Sequence, residues 1–298
     1  MKLLRVGIAL LMAAGVAACS KDTSGTLVTQ DPLAGLRYVN LVPDTGAVDF
    51  RVIDVVENAP DQVAATFRTG GSPSGVATTF LPPHAPVLAG TRHIRVFMNG
   101  TTAAVASQVV LDTTFTFDQG FNYTFYMYGY TRTGQAPAVR AFITKDSLPS
   151  ATAAQWQVRV IHLAPTLAPT FAATPVDVWV DSLAAAATPV GAPTFANVNL
   201  LQTSAYLPFT ARGSPALNYR VAIAATGTTT PIVSAAVPAG VVGTSSTNPI
   251  AGDLVGGTGI SAVIVPPSVV GSQAPQAAAF LVPTILFLID KQPPVTAP

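Results

Sequence analysis

Apolar and polar residues alternate along many short stretches of this chain. In residues 47–53, Val48, Phe50 and Val52 occupy every second position, and residues 175–181 repeat the pattern. Successive side chains of a β-strand point to opposite faces, so this alternation predicts half-buried strands. Pro and Gly separate the stretches at intervals typical of a β-sandwich. No sustained period of 3.6 residues predicts a long helix, and the pattern as a whole predicts an all-β fold.

The predicted strands fall into two groups, one in each half of the chain. They are residues 47–53, 93–97, 103–111, 121–130 and 139–143, followed by 175–181, 219–224, 232–237, 259–265 and 279–289. A short helical turn is predicted within residues 54–65 or 183–187. We expect the last strand to belong to a core rather than to a membrane span, because it is short and contains Pro283.

One long internal repeat organises the chain. The stretch LRYVNLVPDTGAVDFRV of residues 36–52 returns, altered, in residues 158–180, so that Arg37 corresponds to Arg159. Further on, Phe80-Leu81-Pro82 matches Tyr206-Leu207-Pro208. Solenoid repeats run to about 20–50 residues, so a period this long indicates two tandem domains. We predict a signal peptide at 1–18, a tether at 19–33, repeat 1 at 34–149, repeat 2 at 150–290 and a tail at 291–298.

The motifs of the repeat carry a family resemblance. In order they are VRxxHLxP, PVDVWVD, a YLP turn, and YRV after a glycine. They resemble a bacterial family known as a domain of unknown function, number 4397. The resemblance implies two immunoglobulin-like antiparallel β-sandwiches and implies no activity. Repeat 2 fits better, because Asn40 and Asp44-Thr45 of repeat 1 depart from the commoner His and Asp-Ala.

The N-terminus is typical of a bacterial lipoprotein. Lys2 and Arg5 precede an apolar stretch, residues 6–15, that is too short to span a bilayer. Val16-Ala17-Ala18-Cys19 then resembles a lipobox, which predicts cleavage before Cys19 and its acylation with chains such as palmitate. Several acyl chains anchor a protein stably where one does not. Ser20, rather than Asp, follows Cys19 and favours the outer membrane. The alternative is an ordinary secretory signal in which Cys19 is incidental.

Composition narrows the chemistry that the chain can perform. Charged residues make up 10% and the net charge is +1, which gives no basic face for nucleic acid. Cys19 is the one cysteine, so its acylation leaves no thiol for a disulfide, a nucleophile or a zinc cluster. His84, His93 and His162 show no metal-ligand spacing and are predicted to be structural. The sequence predicts no cofactor, no metal site and no enzyme.

The predicted strand at residues 121–130 carries aromatic residues on both of its faces. Phe121, Tyr123, Phe125 and Met127 are expected in the core, and Asp49 and Asp177 are expected on solvated faces elsewhere. The other face of this strand carries Tyr126, Tyr128 and Tyr130. Tyrosine is both apolar and hydrogen-bonding, which suits sugars and partner proteins. Either these three form a binding face, or the other domain covers them.

Two functions follow from these expectations. The first is a non-catalytic binding or adhesion module of the cell envelope, whose partner is glycan, peptide or another envelope protein. The alternative is a structural envelope spacer, and a hydrolase with an unrecognised site is a distant third. Exposure of the three tyrosines would favour the first function, and their burial between the domains would favour the second.

A turn at the head of each repeat is predicted to be pinned by one side chain. Strands end at Leu41-Val42-Pro43 and at Leu163-Ala164-Pro165, because Pro has no N–H for a central strand to donate. Asn40 and His162 precede these exits. We expect their side chains to bond backbone groups of the crossing loop, after which the chain re-enters the sheet at Val48 and Val176.

Overall fold

The computed structural model describes residues 31–52, 63–71, 84–146, 152–168, 171–172, 175–182, 188–212, 218–244 and 246–294. The predicted signal peptide, Cys19 and most of the predicted tether lie outside these residues. The chain divides into two compact units, Met1–Pro32 and Leu33–Pro298. In the first unit the described residues, Asp31 and Pro32, are exposed. All strands among the described residues belong to the second unit.

Repeat 1 contains two β-sheets. Its elements are β1 (Leu33–Asn40), β2 (Val48–Val52), β3 (Val63–Ala65), β4 (Gly70–Gly71), β5 (Ala85–Leu88), β6 (Gly90–Met98), helix α1 (Ala103–Ala106), β7 (Val109–Phe117), β8 (Asn122–Tyr128) and β9 (Arg140–Asp146). Sheet 1 has the order β4-β1-β8-β9, and β5 also pairs with β1. Sheet 2 has the order β3-β2-β6-β7.

Repeat 2 follows the same plan. Its elements are β10 (Gln155–His162), β11 (Thr166–Ala168), β12 (Phe171–Ala172), β13 (Val176–Ser182), β14 (Phe195–Val198), β15 (Leu207–Thr210), β16 (Tyr219–Ala225), β17 (Val233–Ala236), β18 (Gly259–Val265), a 3-10 turn (Ala278–Phe280) and β19 (Thr284–Lys291). Sheet 3 has the order β15-β10-β18-β19, and sheet 4 the order β14-β13-β16-β17. The short strands β11 and β12 pair with each other.

The sheets confirm the predicted β-sandwich class, with one difference in strand direction. Strand β1 pairs with β8 in parallel, and β10 with β18, so sheets 1 and 3 are mixed rather than antiparallel. Parallel neighbours need a long crossover connection. Here the connection runs through the opposite sheet of the same sandwich, which lets the chain return in the same direction.

Three apolar clusters place the four sheets in layers. Tyr38, Phe50 and Phe125 pack between sheets 1 and 2, and Trp156 and Tyr219 pack between sheets 3 and 4. A third cluster joins sheet 1 to sheet 3. Sheets 1 and 3 are therefore buried on both faces, which explains why every residue of β18 is buried instead of every second one.

Some predicted strand limits were wrong. Residues 103–106 form α1 before β7 begins at Val109, because the Ala-rich run favours helix. Pro283 lies between the 3-10 turn and β19, which then extends through Lys291 into the predicted tail. Phe121 precedes β8 and is 45% exposed rather than in the core. The residues predicted for a helical turn lie outside the described part, except that 63–65 are β3.

The predicted exit of the chain after the first strand of each repeat is confirmed, but the predicted return to the same sheet is wrong. Strands β1 and β10 end at Asn40 and His162, both fully buried. Asn40 Oδ1 accepts a hydrogen bond from the Val42 N–H (3.0 Å), and its Nδ2 donates to the Ala65 carbonyl (3.2 Å). His162 Nδ1 accepts from the Ala164 N–H (3.3 Å). The chain then enters the opposite sheet at β2 and β13, rather than re-entering the sheet that it left.

Within the described ranges, no helix is both long and apolar enough to cross a membrane.

Candidate functional site

The three tyrosines proposed for a binding face are buried. Tyr126 and Tyr128 belong to the cluster between sheets 1 and 3, where they meet Ile161 and Val263 of repeat 2. Tyr130 follows β8 and is also buried. Burial raises the pKa of the Tyr126 hydroxyl well above its ordinary value. The division of this strand into two faces was predicted correctly. Repeat 2 covers the face that carries Tyr126 and Tyr128, so these residues do not present a ligand-binding surface.

The same interface contains a network of buried charged residues with two equivalent halves, one from each repeat. Arg37 on β1 and Arg159 on β10 are corresponding residues of the two repeats, and each lies on the face turned away from its own core. Arg37 Nε donates to Thr124 Oγ1 (2.7 Å), which donates to Asp146 Oδ2 (2.6 Å). The Arg159 arm has the same form.

In that second arm, Arg159 Nε donates to Ser261 Oγ (2.6 Å), and Ser261 Oγ donates to Asp290 Oδ2 (2.5 Å). Thr124 and Ser261 occupy equivalent positions, directly opposite the arginines on the parallel neighbours β8 and β18. Each arm therefore joins an arginine, a hydroxyl and an aspartate of one repeat.

The arginines connect the two arms across the interface. Arg37 Nη2 is hydrogen-bonded to Asp290 Oδ1 of repeat 2, and Arg159 Nη2 donates to Asp146 Oδ1 of repeat 1 (2.5 Å). All four side chains are buried. The closest carboxylate of each guanidinium thus belongs to the other repeat, and the exchange is reciprocal, as in a two-fold interface between identical subunits.

A third pair of residues completes the arms and corrects the alignment of the repeats. His84 Nε2 lies 2.8 Å from Asp146 Oδ2, and the Tyr206 hydroxyl donates to Asp290 Oδ2 (2.7 Å). In the strand registers, Ala85 faces Leu36 as Leu207 faces Val158. His84 therefore corresponds to Tyr206, and the sequence match of Phe80 with Tyr206 was wrong.

The surroundings keep the network charged. Burial alone would raise the pKa of Asp146, but the hydrogen bond from His84 and the charges of Arg37 and Arg159 hold it well below its usual range. Burial would lower the pKa of Arg37, and the carboxylates of Asp290 and Asp146 raise it instead. Removing one partner from such a buried pair typically costs about 3–5 kcal/mol.

The hydrogen-bonding capacity of Asp146 is fully used. Its Oδ1 accepts from Thr144 Oγ1 (2.8 Å) and Arg159, and its Oδ2 accepts from Thr124 and contacts His84. A carboxylate with four such partners is oriented and neutralised rather than available to abstract a proton. This arrangement holds two sheets together.

Two further aspartates were predicted on solvated faces and are buried instead. Asp49 Oδ1 accepts from Asn99 Nδ2 (2.8 Å), and Asp177 accepts from the backbone N–H groups of Asn197 (2.8 Å) and Gly227 (2.9 Å). Each carboxylate thereby holds the turn after a neighbouring strand, at Asn99 and Gly227, and Asp177 also binds β14. The strand faces were assigned correctly, but loops that fold over them exclude water.

The histidines occupy three different settings. His84 belongs to the network, His162 supports the turn after β10, and His93 pairs with Asp112 on the surface. Among the described residues, no group of three or more His, Cys, Asp or Glu side chains is placed to hold a metal ion.

Sequence reasoning matched Arg37 with Arg159 but gave neither a role. The available signal was an arginine at the same position of both repeats in a chain with only 10% charged residues. Asp146 and Asp290 lie at the ends of the last strand of each repeat, outside every motif.

The structure thus defines a class, the all-β proteins whose tandem sandwiches pack through an internal two-fold interface. Residues 34–171 match the model of the family described as Domain of unknown function (DUF4397). The match begins in β1, covers repeat 1 and ends in the first strands of repeat 2. No curated protein matches the chain.

Proposed function

We propose that the chain is a non-catalytic, lipid-anchored protein of the bacterial cell envelope whose two sandwiches act as one rigid spacer. Cys19, in its lipobox-like setting, supplies the anchor, and Ser20 after it favours the outer membrane. The spacer function is the leading one, and binding of a partner is the second.

The buried interface between sheets 1 and 3 carries this proposal. Tandem domains usually move relative to each other unless the surface between them is large and apolar. Here an apolar cluster lies beside two reciprocal ion pairs. A shift of one sheet over the other would leave buried charges unpaired, at a cost of several kcal/mol. Such an interface suits a protein that must keep a fixed length and orientation.

A binding function is supported by a different feature, the loop of residues 266–283. Val270 and Val282 are exposed there, 75% and 53% respectively. Arg68 of repeat 1 holds this loop by donating to the carbonyls of Ala279 (3.0 Å) and Pro266 (2.7 Å). A fixed loop with exposed apolar side chains would suit a peptide or another envelope protein.

The anchor is tested by Cys19→Ala. The variant should lose its acyl chains and leave the washed membrane fraction, because no other residue would be acylated. Persistence of the variant in the membranes would argue against the lipoprotein assignment.

Two anchored variants separate the spacer from the binding module. Asp290→Asn weakens the interface, and Val270→Ser with Val282→Ser alters only the loop. If the chain is a spacer, cells that lack it should lose resistance to detergent. The loop variant should then restore this resistance, and the Asp290 variant, present at equal abundance, should not. The reverse result would favour the binding function.

A further inference from the structure

Strands β1 and β10 start at the same end of the Leu33–Pro298 unit. Midway along β1, Arg37 Nη1 donates to the carbonyl of Ile289 (2.7 Å), which pairs with the second residue of β18, the parallel neighbour of β10. Beyond the other end of β1, the Val269 N–H donates to the Pro43 carbonyl (2.7 Å) just after β18. We call the end that holds Leu33 the anchor end.

A hairpin of repeat 2 projects from the anchor end. Within residues 238–252, Val241 and Ile250 exchange two backbone hydrogen bonds (2.9 and 2.8 Å). At its base, Asp253 Oδ2 accepts from the Tyr219 N–H (2.6 Å), and the Tyr219 ring lies 5.2 Å from that of Trp156, the second residue of β10. These contacts fix the hairpin beside the start of β10.

The hairpin is apolar and uncharged on its surface. Val241, Val242 and Ile250 are 53%, 53% and 60% exposed. Neighbours in an extended strand point to opposite sides, so both faces of the hairpin present apolar groups. Residues 238–252 include no Asp, Glu, Lys or Arg, and the tip is rich in Ser and Thr.

The base of the hairpin is specified by close packing of two glycines. A Cβ on Gly252 would lie 2.1 Å from the backbone nitrogen of Gly240, and Gly240 itself has a positive φ of 72°. The backbones approach more closely than any side chain would allow, so the projection is built into the sequence.

Other groups at the anchor end suit the same environment. Phe121 is 45% exposed beside Leu33, since Gly120 donates its N–H to the Leu33 carbonyl (2.8 Å). The Lys145 ammonium lies 3.4 Å from the centre of the Phe121 ring and forms an ion pair with Asp118 Oδ2 (2.9 Å). Exposed apolar side chains such as Leu33 and Phe121 are typical of segments that lie in a membrane interface, and the ion pair leaves no net charge beside them.

We propose that the 238–252 hairpin docks on the surface of the bilayer that holds the acylated Cys19; this inference rests on the lipid anchor of the proposed function. Residues 20–32 separate Cys19 from Leu33 and can span at most about 45 Å. Leu33 is therefore tethered within that distance of the lipid, and the exposed apolar hairpin at the same end of the unit is available to contact it.

The experiment measures lipid contact at two single sites. Acylation consumes the thiol of Cys19, so Ile250→Cys supplies the one reactive thiol of the anchored chain. Val270→Cys is the matched control, because Val270 is also exposed but follows β18 at the opposite end. Both chains are labelled with an environment-sensitive fluorophore in phosphatidylethanolamine–phosphatidylglycerol vesicles, with and without nitroxide-labelled lipid.

If the hairpin docks on the bilayer, the nitroxide lipid should quench the fluorophore several-fold more strongly at position 250 than at position 270. The double substitution Val241→Ser and Val242→Ser should then reduce the quenching at position 250. Equal quenching at both positions in an anchored chain overturns the inference and leaves the anchor intact. Blue-shifted but unquenched emission at 250 also overturns it, because protein rather than lipid would then cover the hairpin. A chain absent from the vesicles overturns the anchor itself.

Discussion

The roles of Arg37 and Asp290 cannot be predicted from the residues that flank them in the sequence. Both are buried charges, and their ion pair joins the first strand of one repeat to the last strand of the other. Arg95 and Asp112 form a pair of the same chemistry on the surface (2.7 Å). The two pairs differ in exposure to water, which decides their contributions to stability.

We expect Arg37→Met to lower the free energy of unfolding by about 3–5 kcal/mol, since it leaves a buried carboxylate without its cation. The double variant with Asp290→Asn should lose less than the sum of the two single losses, because the residues act as a pair. Arg95→Met, the exposed control, should cost about 0–1 kcal/mol. Urea denaturation of these four variants and of the unmodified protein measures these values, and similar losses for Arg37→Met and Arg95→Met would contradict the prediction.

Asp253 gives a prediction about pH. Burial raises the pKa of Asp253 from 3.8 to about 6, against the hydrogen bond that the Tyr219 N–H donates. Between these two values the folded chain binds more protons than the unfolded chain, so the contribution of Asp253 to stability is greatest below pH 4 and is lost as pH rises through 6.

Asp253→Asn should therefore flatten the stability of the protein between about pH 4 and pH 6. Thermal melts at half-unit pH steps provide the measurement. A parallel decline in both proteins would show that another group titrates there.

At the scale of elements, the exit of β1 and β10 from their sheets depends on one side chain each. Asn40 bonds backbone groups of two residues, and His162 bonds Ala164. The two residue types perform the same task at corresponding positions. Pro43 and Pro165 fix where the strands stop, and the side chains fix the path that follows.

We expect His162→Ala and Asn40→Ala each to lower stability by about 1–3 kcal/mol, because buried backbone groups lose a partner. His162→Asn is the matched control and should retain most of the stability, since Asn already serves in repeat 1. Thermal melts report these differences. An unchanged melt of His162→Ala combined with lost partner binding would instead identify His162 as a functional ligand.

At the scale of the whole molecule, the repeats resemble a dimer fused into one chain. Residues 34–149 and 150–290 each supply two sheets, and separation would expose Tyr126, Tyr128 and half of the charge network. Each half keeps its own core between its sheets.

We therefore expect each half, expressed alone, to give β-rich circular dichroism and a cooperative melt at a lower temperature than the full chain. Mixing the halves should restore part of the lost stability, because the interface can form between molecules. Two halves that both fail to fold would refute the division into two domains.

The sequence by itself determined the strands, the turns and the repeat. Alternation at Val48 and Phe50, the prolines after Asn40 and His162, and the second copy of the motif are local signals with a direct physical cause: side chains alternate along a strand, and Pro cannot donate to a sheet. The structure confirmed the sandwich class on this basis, and the family match confirmed the resemblance over residues 34–171.

Only the tertiary structure decided what covers each face. Residues alternate along β8 in the same way whether Tyr126 is exposed to water or packs against repeat 2. A strand that is buried on both faces can keep polar residues at every second position when other groups form hydrogen bonds with them. The partner of Arg37 lies 253 residues away along the chain, and no local pattern specifies a contact over that distance. Burial, pairing and charge at the interface depend on how two complete sandwiches meet, which is a property of the folded chain.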